Sequence, residues 1–419
     1  MLLDISPLRK YRDYRHLFIG QLVSVFGSMI TYVALPFQIY ELTHSTLAVG
    51  IIGLIELIPL LITAFIGGML ADAVDRKKLL IISEFFILLV IFTLAVNTSL
   101  ELPKTWIIYC SAGIISALNG FHRPALDSLG VRLVDKTDIH AYSALNSFKS
   151  VLGTIAGPAI GGVCIATFGW VIAYLIDVAT FVISIIALLL IRHFPKNQPT
   201  VNPVSFRSVK EGLHYAVSRQ ELLGTYIIDF AAMVFSMPTA LFPAMAESFG
   251  KPELIGLFYS APAMGALVAS LLSGWTQKIY RHGWAIVIAA SCWGLAITGF
   301  GLVSNVWLAL FILVLAGGSD MISGIFRSTI WNQAIPDHLR GRLAGIEMIG
   351  YTSGPLLGNT QAGMLAAAIG THNAIILGGA LCIAGVGICA SFLPKFLRYN
   401  ASIHNKKLYP CRRQHDHHC

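Results

Sequence analysis

Charge is what this chain has least of. Only 12% of its 419 residues are Asp, Glu, Lys or Arg, about half the share that soluble domains use. A chain with so few charges and 56% hydrophobic residues cannot cover a water-facing surface. A mean hydropathy of +0.72 says the same. The net charge of +8 does not point to nucleic acid, because Lys and Arg sit in short runs between apolar segments rather than on one continuous face. Cysteine is sparse as well. Cys110, Cys164, Cys292, Cys382 and Cys389 fall in apolar runs without metal-like or disulfide-like spacing. There is no Gly-x-x-x-x-Gly-Lys-Ser/Thr stretch, which disfavours direct ATP coupling. Most histidines lie in polar intervals or the tail, leaving no His-rich or Ser-His constellation for a membrane-embedded enzyme. The start, MLLDISPLRKYRDYRH, leads into an apolar run too long for a cleavable signal and reads as a cytoplasmic lead-in.

Long apolar runs are abundant. Stretches able to cross a bilayer of about 30 Å recur twelve times, at 16–40, 46–71, 79–98, 105–127, 140–166 and 170–191, then 221–245, 254–276, 283–304, 306–330, 342–367 and 371–394. An all-α membrane protein with twelve transmembrane helices follows. Its expected organisation is an N-terminal six-helix bundle (1–191), a cytoplasmic linker (192–220), a C-terminal six-helix bundle (221–395) and a cytoplasmic tail (396–419). Cytoplasmic loops collect Lys and Arg. With both termini inside, 24 such residues lie on the inner side and 2 on the outer.

The two halves resemble each other. GTIAGPAIGG (153–162) is matched by GYTSGPLLGN (350–359), and GFHRPALDS (120–128) by GIFRSTIWN (324–332). A six-plus-six repeat of like topology places a cavity near the bilayer midplane, between the bundles. Gly153, Gly157 and Pro158 in one half, with Gly354 and Pro355 in the other, are expected to form kinked seams of close approach that gate one side.

Charges inside spans are costly and face a cavity or a partner. Glu56, Asp177, Asp229, Asp320 and Glu347 are the acidic candidates, with Arg123, Lys149 and Arg327 as counter-charges. Asp320 and Arg327 are two turns apart on roughly one helix face, and Arg123 and Asp127 are one turn apart. Glu56 and Asp320 are the leading proton carriers. Phe121, Tyr226, Phe230, Phe235 and Tyr259 are able to line an aromatic-friendly cavity, although packing explains them too. The tail residues Cys411, His415, Asp416, His417, His418 and Cys419 can bind metal but lack preorganised spacing, so neither a metal nor a cofactor is expected.

The stretch GMLADAVDRKKLL (68–80) resembles the loop motif of the major facilitator superfamily, with Gly68, Leu70, Ala71, Asp72, Arg76 and Lys77 matching and Ala73 and Asp75 departing. The Gly-Pro stretch of the fifth span is similar to that superfamily's antiporter motif. VALP (33–36) looks like the end of its first-helix drug-exporter motif, although Gly27 stands where many proton-driven exporters carry an acid. PFQIYELTHSTLAVG (36–50), GGMLADAVDRKKLL (67–80) and LFPAMAESFGKPELIGLFYSAPAMGAL (241–267) resemble the enterobactin-exporter branch. The resemblance implies the major facilitator fold and a gate at Gly68, Asp72 and Arg76. It also implies export of an amphipathic small molecule, a siderophore first, by alternating access with proton antiport. A multidrug or other metabolite efflux transporter is the alternative, with an enzyme or a channel further off. The expected setting is a monomer in the bacterial inner membrane, its partners being substrate, protons and lipid.

Overall fold

A computed structural model describes residues 4–73, 75–192, 214–336 and 340–399; within these, the side chains of 64–73 and of 340–349 other than Leu343 are not described. The architecture is all-α. After a short α1 (Ser6–Lys10), the chain runs through α2 (Arg12–Thr43), α3 (Thr46–Ala73), α4 (Arg76–Thr98), α5 (Thr105–Arg132) and α6 (Ile139–Leu189). It continues as α7 (Gln220–Ser236), α8 (Phe242–Ser248), α9 (Ile255–Leu271), α10 (His282–Leu302), α11 (Val306–Ala334), α12 (Arg340–Ile369), α13 (Thr371–Phe392) and α14 (Pro394–Leu397).

Among the described residues nine stretches are long and apolar enough to cross a membrane. Their large side chains point outward: Val163, Phe168, Leu295 and Phe392 are 59%, 59%, 64% and 76% exposed. Such exposure suits a lipid solvent and would be an aggregation hazard in water.

Two details differ from the expected spans. The fifth and sixth spans form one 51-residue element, broken only at Gly169, which takes φ 78 and ψ 175. That backbone region is essentially closed to residues with a Cβ, so glycine makes the reversal without a loop. The seventh span, expected unbroken over 221–245, stops at Ser236 and resumes at Phe242 through a single turn, Thr239–Leu241. Pro238 supplies no amide for an intrahelical bond, and the residue before it, Met237, is extended (φ −74, ψ 113). Asn359 Oδ1 repairs the gap, accepting from Thr239 Oγ1 at 2.6 Å and from the Ala240 amide at 3.1 Å.

Helix pairing repeats between the halves. In the first, α2 packs on α6 and α3 on α5; in the second, α7 packs on α12 and α9 on α11. The halves meet chiefly where α3 faces α12 and α6 faces α9.

Candidate functional site

Each glycine row of the two Gly-Pro stretches has a defined neighbour. In α6, a Cβ added to Gly157 would lie 2.7 Å from Met29 Cγ, and one added to Gly161 3.0 Å from Ile30 Cα; Gly153 abuts Val25. In α12, a Cβ at Gly354 would lie 3.0 Å from Met233 Cβ, and Gly358 abuts the Met233 carbonyl. Each row therefore joins its helix to the first crossing helix of its own half, α2 or α7. Pro158 contributes to the contact between halves, its carbonyl lying against Gly256 of α9.

Backbone approach between the halves also uses a second set of glycines. A Cβ on Gly162 would lie 2.7 Å from the Gly256 nitrogen, and one on Gly50 2.9 Å from Gly363 Cα. Thr46 Oγ1 donates to the Gly363 carbonyl at 3.4 Å, and Tyr40 Oη donates to Glu247 Oε2 at 2.6 Å. All these contacts lie toward the Thr46 end of α3, so that end is where the halves are tied together. Membrane helices gain little from apolar burial against each other, and backbone proximity of this kind supplies the dispersion contact that joins them.

At the opposite end, Gly68 and Asp72 belong to α3 but their side chains fall outside the described residues, as does that of Glu347. Arg76 is described and buried at 3% exposure. Asp75, a departure from the superfamily loop pattern, caps α4 by accepting the amides of Lys77 at 2.9 Å and Lys78 at 3.3 Å. Lys77 Nζ in turn donates to the carbonyls of Ile191 at 2.7 Å and Leu189 at 3.3 Å, closing the C-terminal end of α6. The loop charge thus ties α4 to α6.

The acidic candidates separate into distinct environments. Arg327 of α11 bridges two carboxylates: it pairs closely with Asp229 of α7 and reaches Asp320 Oδ1 at 3.4 Å. Arg327 and Asp229 are mostly buried, at 15% and 19% side-chain exposure, while Asp320 keeps 40%. A cavity of about 190 Å³ opens against Arg327 and Asp229, walled by Tyr226, Trp331 and Tyr351. The Tyr226 and Trp331 rings lie 4.7 Å apart, and Thr225 Oγ1 accepts from Trp331 Nε1 at 2.8 Å, fixing the indole plane.

Glu56 is elsewhere, near Tyr32 of α2 and Tyr259 of α9, whose rings meet edge-on at 5.5 Å across the two halves. Asp177 is fully buried between α2 and α6, accepting from Thr31 and, at 3.1 Å, from Thr180 Oγ1. It lies against Gly27, so a carboxylate borne by α6 occupies the space beside the first crossing helix. Arg123, Asp127 and Lys149 influence one another electrostatically, but Arg123 and Asp127 make no direct ion pair. Of the aromatic candidates, Tyr226 lines the cavity beside Arg327, and Phe235 and Phe230 lie against α13 and α12 glycines. Among the described residues no cluster of metal-ligating side chains occurs.

One constellation escaped the sequence. Glu84 of α4, fully buried, faces His122 of α5 and Gln21 of α2. The available signal was an acid set in the apolar run IISEFFILLV; its partner was hidden because His122 sits 38 residues away on another helix.

Comparison with known proteins agrees with this architecture. The chain is 27% identical to an enterobactin exporter of Citrobacter koseri over 376 residues, covering 87% of this chain and 88% of that one. It is equally similar to the enterobactin exporter of Salmonella typhimurium over 377 residues, with the same coverage. Among solved structures, a POT family transporter in complex with 5-aminolevulinic acid superposes with a TM-score of 0.72 at 14% identity, covering 92% of this chain and 97% of that one. A bacterial homologue of the iron transporter ferroportin, in an inward-facing state, gives 0.69 at 16% identity, covering 92% and 98%. At these identities the structural likeness speaks to the fold alone. The sequence profile of transmembrane secretion effectors matches residues 4–410. The chain therefore belongs to the transmembrane secretion effector family of the major facilitator superfamily and is a multi-pass membrane efflux transporter, not an enzyme.

Proposed function

We propose that this protein exports an anionic, aromatic small molecule, a catecholate siderophore first, from the cytoplasm by alternating access driven by proton antiport. The observation that carries this reading is the cavity beside Arg327: a guanidinium held between two carboxylates and walled by Tyr226, Trp331 and Tyr351. A catecholate offers oxygen acceptors for the guanidinium and a ring for the indole and phenol faces. The cavity volume, about 190 Å³, is below the ~300–1,000 Å³ of pockets that enclose whole drug-sized ligands, so it holds one aromatic arm. The enterobactin exporters among its relatives support the substrate class.

The halves tied at the Thr46 end fit the inward-open member of an alternating-access cycle, with that end outermost. Twelve crossings result when Lys136–Leu189 is read as two spans around Gly169 and α5 and α12 join the nine apolar stretches. On this reading the chain divides into bundles 1–191 and 221–395, a cytoplasmic linker 192–220 and a cytoplasmic tail 396–419, and it works as a monomer in the inner membrane with both termini in the cytoplasm. Asp320 and Glu56 are the carriers we assign to the proton. Protonating Asp320, the more exposed partner of Arg327, would leave the guanidinium with Asp229 alone and change its hold on an anion. Gly68, Asp72 and Arg76 form the inner gate.

The test is a deletion strain under iron limitation. Intracellular catecholate should rise and return to its ordinary level when the protein is restored. Unchanged catecholate with accumulation of an added cationic dye would replace the siderophore by the multidrug alternative.

A further inference from the structure

We propose that Glu84 and His122 form a proton-binding site in the first half of the chain, separate from Arg327 and its two carboxylates. Glu84 lies eight residues beyond Arg76, roughly 12 Å along α4 at the usual rise. Its side chain has no accessible surface. Oε1 accepts from Gln21 Nε2 at 2.7 Å and lies 3.1 Å from His122 Nε2. The other hydrogen of the Gln21 amide goes to Ser184 Oγ, at 3.2 Å. Gln21 is therefore fully committed and cannot serve the second carboxylate oxygen. That oxygen, Glu84 Oε2, is buried without a hydrogen-bond partner.

An ionised carboxylate with one oxygen bare in a low-dielectric interior is unfavourable, and a proton on the carboxyl removes the buried charge. A neighbouring imidazole offers the proton a second place to reside. The two groups then share one proton, held on the carboxyl or on the ring. Access runs through His122, which keeps 15% of its side-chain surface while Glu84 keeps none.

The surroundings favour a proton over a fixed ion pair. Toward Glu84, α2 presents Gln21, itself held by Ser184 of α6 and uncharged, and His122 is its one titratable partner among the described residues. On α5 and α6, Asp127 feels the charges of Arg123 and Lys149, and His122 acts on Asp127 as well. His122 thus stands between the buried carboxyl and that charged cluster. The four partners come from α2, α4, α5 and α6, so a change of protonation acts on four of the helices that must move together.

The role of this site in transport rests on the antiport reading, whereas proton binding itself does not. The test is infrared difference spectroscopy of the full-length protein in lipid, acidified stepwise between about pH 8 and 5, the range in which imidazole-linked groups titrate. The wild type should show a protonated-carboxyl band that grows on acidification and is lost in Glu84→Gln. In His122→Gln the band should persist with its midpoint moved by about one pH unit. A band unchanged in Glu84→Gln, or a midpoint unmoved in His122→Gln, would overturn the proposal. So would a wild type with no such band, even if Glu84→Gln fails to fold. Imposed pH gradients separate the two readings. A Glu84 band without gradient-driven accumulation of a radiolabelled catecholate removes antiport and leaves the site. Accumulation without the band removes the site and leaves antiport.

Discussion

The two halves of this protein pack alike and are charged differently. Gly157 and Gly161 against α2 have counterparts in Gly354 and Gly358 against α7, and Gly50 and Gly256 are met by Gly363 and Gly162. The buried acids break the symmetry. In the first half, Glu84 and Asp177 are each fully buried and partnered by imidazole, amide or hydroxyl groups. In the second half, Asp229 and Asp320 share a permanent cation beside a cavity. Backbone packing has to be preserved in both halves if they are to rock about one interface, whereas the chemistry does not. A guanidinium never loses its proton and gives the second half a fixed cation for an anion, while Glu84 and Asp177 in the first half have no such cation beside them among their described hydrogen-bond partners.

The sharpest way to break the packing half of this comparison is to fill a backbone contact between the halves. Gly162→Leu places a branched side chain where even a Cβ would lie 2.7 Å from the Gly256 nitrogen. Transport should fall by at least about tenfold while the protein still inserts, a loss equivalent to ~1.4 kcal/mol or more of transition-state stabilisation. Transport rate normalised to membrane-inserted protein is the measurement. Gly387→Ala is the control, because its Cβ would meet nothing within 4 Å, and it should transport as the wild type does.

Arg327→Gln comes next, and it tests the electrostatic half. It leaves Asp229 and Asp320 together without their shared cation, a change that costs ~3–5 kcal/mol when a buried pair is broken. Thermal unfolding in detergent should move well below the wild type, and Arg327→Gln combined with Asp229→Asn should recover a good part of that loss. Asp177→Asn should cost less, about 1–2 kcal/mol, because Thr31 and Thr180 keep an amide oxygen to donate to. Unfolding of that variant by the same assay settles the order. If it were as unstable as Arg327→Gln, the two halves would not differ as described.

The smallest effect belongs to the lead-in, which lies outside the spans. Tyr11 Oη donates to Asp138 at 2.6 Å and to Asp135 at 2.7 Å, and Lys10 Nζ reaches Asp138 at 2.9 Å. The Tyr11 hydroxyl first, and Lys10 second, hold both carboxyls below the ordinary carboxylate range. A depressed carboxyl contributes stability above its unfolded value, about 3.9 for Asp, and loses it as pH falls through the folded value. Protection of the amides of residues 5–11, relative to their intrinsic exchange at each pH, should therefore hold from neutrality down to about pH 4 and fall below it. Equal protection throughout that range would show that these contacts do not hold α1.

Much of this was legible in the sequence where the physics is local. The Gly-Pro rows could be read because small residues at helical spacing leave few uses other than close approach, and Asp320 with Arg327 because seven residues return to one face. Asp229 joining that pair could not be read, since it lies 98 residues before Arg327 on another helix and no spacing rule relates the two. Glu84 and His122 were missed for the same reason. Asp75 looked like a departure from a motif until its amide contacts with Lys77 and Lys78 showed a helix cap. The continuous run through Gly169 was hidden because a single glycine reversal and a short loop leave the same polar gap between apolar runs.

The central claim, a proton-driven exporter whose second half holds the anion through Arg327, is tested most directly in proteoliposomes with an imposed pH gradient. Radiolabelled catecholate movement is followed in the wild type and in Asp320→Asn. The wild type should accumulate substrate against its gradient, and Asp320→Asn should still exchange it without accumulating it. Accumulation by Asp320→Asn at the wild-type level, or a wild type indifferent to the pH gradient, would contradict the account.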